Sequence, residues 1–88
     1  MTREGLVVFY GTHEAIKADN ICQERNIEAS LIPTHPSITF GCGFMLKSDW
    51  KNFSNLVKVL DEEEIKYKAL YYSVKRGIRR ETELLYEE

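Results

Sequence analysis

Apolar residues along the chain gather in short runs and spaced sets, and their spacing predicts the elements. Leu6-Val7-Val8-Phe9-Tyr10 is a continuous β-branched and aromatic run closed by Gly11, the pattern of a buried central strand. Beyond it Ala15, Ala18 and Cys22 recur at helical intervals, with Ile16 and Ile21 on the flanks. Thr12 stands where a hydroxyl would cap that helix, and Asn26 suits the left-handed conformation that ends it. Residues 29–33 read as a second strand, held to an edge or ended by Pro33, which has no N–H to give a ladder. Residues 34–41 carry no clear period. A third strand over 43–47 puts Phe44 and Leu46 on one face and Met45 and Lys47 on the other. Ser48 or Asp49 then caps a second helix in which Trp50, Phe53, Val57 and Leu60 recur at intervals of three and four, with Leu56 beside them. Residues 66–73 form a tyrosine-rich fourth strand. Residues 74–88 read as a helical extension, with Val74, Ile78 and Leu85 on one side.

The order strand, helix, strand, strand, helix, strand matches the ferredoxin-like βαββαβ pattern. The expected fold is therefore an α+β sandwich over residues 1–73, a four-stranded antiparallel sheet with both helices on one face, followed by the C-terminal extension 74–88. Right-handed crossovers would set the first and third strands side by side at its centre. Phe9 or Tyr10, Met45, and Tyr71 or Tyr72 would load the other face with more apolar area than a monomer leaves wet. A homodimer, or cover by the C-terminal segment, is the expectation.

Length and charge narrow the function classes. Eighty-eight residues, 43% of them apolar, supply one core and no second domain. Twelve Lys and Arg against fourteen Asp and Glu leave a net charge of −2, which argues against a nucleic-acid or membrane partner. The opening apolar run is too short for a signal peptide or a span, so a cytoplasmic location is expected. Two cysteines without Cys-x-x-Cys spacing make neither a disulfide framework nor a zinc site. With His13 and His35 the only histidines, no metal and no cofactor is expected. The basic cluster 75–80, followed by Glu81 and Glu83, reads as a solvated helix face. No phosphate-binding glycine loop and no Ser-His-Asp order is present, so a self-contained enzyme is not expected.

Gly41-Cys42-Gly43 is the segment that raises a chemical question. In the expected topology the first helix's N-terminus, with Thr12 and His13, shares one end of the domain with the loop before the third strand. Strand parity aims Cys42 toward the helices. A thiol near a helix N-terminus and an imidazole favours its thiolate, and flanking glycines allow the backbone to bend and another molecule to approach. The competing reading is a small buried thiol filling a tight bend. Cys22, at a core position of the first helix, reads as inert.

These residues resemble a family, the selenium/sulfur carrier protein-like domains. The resemblance lies in Val7-Val8-Phe9, in Thr12-His13 opening a helix with Ala15 and Ala18, in Leu31-Ile32-Pro33-Thr34, and in Ile38 and Cys42-Gly43 leading into a strand. It covers roughly residues 6–72. It implies that Cys42 accepts sulfane sulfur or selenium as a persulfide or perselenide and hands it to another protein, without a cofactor. Donor and acceptor proteins would be the partners. On that reading Thr12 and His13 tune the thiol, and Gly41, Gly43, Thr34 and His35 give access and support. Where such proteins commonly carry Pro-Arg after the threonine, this chain has His35-Pro36, so His35 is the candidate substitute for the missing cation. The rival class is an oligomeric interaction or regulatory module in which Cys42 is structural.

Overall fold

The structure, a computed structural model, describes residues 1–35, 38 and 43–88. Its elements are β1 (Thr2–Val8), α1 (Thr12–Glu24), β2 (Ser30–Pro33), β3 (Phe44–Asp49), α2 (Trp50–Glu62), β4 (Ala69–Arg76) and β5 (Arg79–Glu87). The strands form one antiparallel sheet in the order β2-β3-β1-β4-β5.

The four-stranded ferredoxin-like sandwich with a C-terminal helix is thus overturned. Residues 74–88 complete β4 and build a fifth strand, for a local reason. Arg76 pairs with Arg79, leaving Gly77 and Ile78 as a two-residue turn. Gly77 has φ of +60° and Ile78 is not left-handed, which is the type II′ hairpin turn whose twist matches antiparallel strands. Ile78 sits fully exposed at the apex, so it never marked a buried helix face. Past the turn, Arg80, Thr82 and Leu84 alternate opposite Lys75, Ser73 and Tyr71. A register shift between Leu70 and Tyr71 then marks a bulge.

Parity along β1 divides the core. Val7 and Phe9 join Leu46, the α1 residues Ala15, Ala18 and Cys22, and the α2 residues Phe53, Leu56 and Leu60. Phe53 lies against the backbone of Gly5, where no side chain would fit. Trp50 opens α2 partly exposed, edge-on to Tyr72 at 4.7 Å between ring centroids. Leu6 and Val8 point the other way, toward Met45, Ala69 and Tyr71, and Ile38 packs onto this second face. All six are buried within the single chain, so the apolar surplus expected there is largely covered without a partner.

Toward the far end of that face the sheet carries charge. Glu4 is buried, bonded to Arg80 of β5 at 2.5 Å and 3.5 Å from Lys47 of β3, while Arg80 also donates to Ser73 Oγ at 3.0 Å.

Both helices end in the same device. Asn26 and Glu64 adopt φ of 56° and 57°. The next residues, Ile27 and Ile65, donate back to the carbonyls of Cys22 and Leu60 at 2.8 and 2.9 Å, the Schellman arrangement. Asparagine tolerates that conformation, whereas glutamate at position 64 bears the steric cost of its Cβ. The start of α1 departs from expectation. Thr12 does not cap it: Gly11, in extended backbone, is the N-cap, Thr12 is the first helical residue, and among the described residues no side chain caps the helix.

Candidate functional site

Register fixes which loops meet. Val8 pairs with both Met45 and Ala69, so the end of β1, the start of β3 and the start of β4 lie at one end of the sheet. Pro33 pairs with Phe44, which brings the end of β2 there too. The chain leaves β1 through Phe9 and Tyr10 and enters α1 at Thr12, so the helix N-terminus belongs to the same end.

At this end Thr12 and His13 are both exposed on the first turn of α1. Glu14, in the same turn, places its carboxylate near Gly11, within 3.6 Å of where a Cβ would stand. The loop between β2 and β3 is closed at its base by the Thr34 N–H, which donates to the Gly43 carbonyl at 3.0 Å and extends the ladder by one step. His35 is half-buried, and its backbone carbonyl accepts from the Ile38 N–H at 2.9 Å. Between these points the chain carries Cys42. Cys42 and Gly41 lie outside the described residues. Gly43 is exposed, its φ is not left-handed, and a Cβ there would meet no described residue within 4 Å.

The other thiol is fully accounted for. Cys22 is 1% exposed in the core beneath α1, and burial, reinforced by the Asp19 carboxylate, pushes its thiol up to about 11. At neutral pH it is protonated and out of reach. The acidic stretch after α2 is partly engaged: Glu62 and Glu63 lie 3.6 and 2.8 Å from Arg25, and Asp61 accepts from Tyr67 at 3.0 Å. Burial and that bond push the Tyr67 hydroxyl up to about 12.

Two residues at this end are not among the site residues expected from the sequence. The Lys68 N–H donates to the Val8 carbonyl at 2.7 Å, which sets its ammonium 5.8 Å from the centroid of the Tyr10 ring. That ammonium also donates to the Glu88 carbonyl, and the Tyr10 hydroxyl bonds the Glu88 carboxylate. No local motif announces this, because the β1–β4 pairing creates it. Among the described residues no three His, Cys, Asp or Glu side chains gather as a metal site would require, and no helix is long and apolar enough to cross a membrane.

No curated protein and no solved structure matches the chain. The family model described as "Putative Se/S carrier protein-like" matches residues 4–72, which runs from within β1 to the middle of β4 and includes Thr12, His13, Thr34, His35 and Cys42, while leaving out the rest of β4, the hairpin turn and β5. The chain therefore belongs to the Se/S carrier protein-like family.

Proposed function

We propose that this protein carries sulfane sulfur or selenium between proteins in the reducing cytoplasm, with Cys42 as the exchanging thiol. The observation that supports this reading is the state of the other cysteine. The sequence has two, and Cys22 is sealed in the core with its thiol driven up to about 11. Within a family named for carrying these elements, that leaves Cys42 to do the exchange.

The chemistry needs no redox partner. The Cys42 thiolate attacks the terminal sulfur of a donor protein's persulfide. A new S–S bond forms, the donor's S–S bond breaks, and the donor leaves as a thiolate. An acceptor thiolate then attacks the terminal atom on Cys42, which departs as a thiolate in turn. For selenium the transferred atom is selenium and the electron count is the same. The N-terminus of α1 supplies positive potential at this end, with Thr12 and His13 on its first turn, His35 supplies an imidazole at the loop base, and glycine at 41 and 43 brings no side chain to crowd the thiol. Partners are thus a donor and an acceptor protein. A homodimer would form through the edge strand β5, where Leu84, Leu85 and Tyr86 are 48, 47 and 45% exposed.

Thiol labelling tests the assignment. In the folded protein at neutral pH, iodoacetamide should modify Cys42 at least a hundredfold faster than Cys22, and His13→Ala should slow Cys42 severalfold by removing the imidazole. Peptide mass spectrometry at timed intervals reads both rates. Equal, slow labelling of the two cysteines would make Cys42 a packing residue and favour the interaction-module reading.

A further inference from the structure

The end of the sheet opposite the Cys42 loop carries a feature that the carrier reading does not use. Thr2, the first residue of β1, pairs with Lys75, so Arg76, Gly77, Ile78 and Arg79 project beyond the last residue of the central strand as the tip of a hairpin. The apex residue is Ile78, fully exposed. Lys75, Arg76 and Arg79 surround it, all exposed, and none forms an ion pair with a described carboxylate. Arg3 stands beside them opposite Val74, and Glu81 is the carboxylate nearest in β5. The net charge of −2 conceals this local cluster: Lys75, Arg76 and Arg79 flank the apex, while Asp61, Glu62, Glu63, Glu87 and Glu88 lie toward the other ends of α2 and β5.

We propose that the β4–β5 hairpin tip docks the protein onto an anionic lipid surface. An apolar side chain at the apex of a rigid turn, ringed by unpaired cations, fits a headgroup layer: the cations meet lipid phosphates while the isoleucine enters the boundary beneath them. Nucleic acid is the poorer fit, because none of residues 74–81 is aromatic and the tip has no ring of its own to stack on bases. Geometry adds a second reason. Val8 and Thr2 are six strand residues apart, roughly 20 Å, so a surface held at the tip leaves the Cys42 end facing solvent and open to partners. The turn fixes the presentation, since Gly77 alone among the tip residues can hold φ of +60° without strain.

Co-sedimentation with vesicles tests this on the full chain. Vesicles of phosphatidylglycerol mixed with phosphatidylcholine should pull down the protein, and pure phosphatidylcholine vesicles should not. Arg76→Gln and Arg79→Gln should each lower partitioning roughly fivefold, and Ile78→Ser roughly tenfold or more. Raising salt should weaken binding further. Each substitution lies on exposed hairpin residues, and unchanged circular dichroism and melting would show the fold intact. Absence of binding to anionic vesicles, binding indifferent to all three substitutions, or tip-dependent binding to a single-stranded oligonucleotide without vesicle binding would overturn the proposal. None of these outcomes bears on sulfur or selenium transfer.

Discussion

Gly5→Val should unfold the domain or lower its stability by more than about 3 kcal/mol, the upper range for overpacking a core. In a central strand valine would ordinarily be an improvement. Here a Cβ on residue 5 would stand 2.1 Å from Cγ and Cδ1 of Phe53, because that ring occupies the space beside the glycine. The ring cannot simply retreat. Phe53 is 4% exposed, stacked on Trp50 at 5.6 Å between centroids, and enclosed by the core beneath α2. Phe53→Ala alone should cost about 3–5 kcal/mol through the cavity it leaves. The double variant should nevertheless be far more stable than the two losses added, since valine would partly fill that space. Urea unfolding followed by circular dichroism measures all three. A Gly5→Val protein within about 1 kcal/mol of wild type would mean that the ring does not rest on β1.

The second large effect concerns the pair that ties β5 to β1. Arg80→Ala should destabilise the fold by about 3 kcal/mol, because it strands the Glu4 carboxylate on a face where its side chain is 8% exposed. Lys47 is too distant and too open to compensate, at 3.5 Å and 31% exposed, so Lys47→Ala should cost well under about 1 kcal/mol. Replacing Glu4 and Arg80 together by leucine should recover most of the loss, as removal of both partners leaves no buried charge. Chemical denaturation of the four proteins is the measurement. Equal, small costs for Arg80→Ala and Lys47→Ala would show that the pair is solvated and that β5 is held by its ladder alone. The point matters for the family, because Arg80 lies outside the matched residues 4–72 and Glu4 begins them.

Elements with a local signature were legible in the sequence. The small stripe Ala15, Ala18, Cys22 and the set Phe53, Leu56, Leu60 are the buried faces of the two helices, and Asn26 ends the first in the left-handed conformation. The miss at residues 74–88 has a physical cause. Val74, Ile78 and Leu85 share a helical interval by accident, whereas the informative residue was Gly77, at the first position of a two-residue II′ turn. Trp50 was read as core, yet a first-turn position leaves it 37% exposed. Glu4 carries no local sign of burial, and its partner Arg80 is reachable only through the sheet. Gly5 carried no signal, because nothing local says that an aromatic ring 48 positions later will cover it. For the site, strand order brought Thr12, His13 and Gly43 to one end, as expected, and added Tyr10 and Lys68 through a pairing that the linear sequence does not display.

The carrier account stands or falls on one atom at one position. Incubated with a cysteine desulfurase and cysteine, the wild-type protein should gain the mass of one sulfur, located on Cys42 by fragmentation, and should lose it to an added thiol. Cys22→Ser should load and release like wild type, and Cys42→Ser should not load at all. An adduct shared equally between Cys22 and Cys42, an adduct that no thiol removes, or no adduct in wild type would contradict the account.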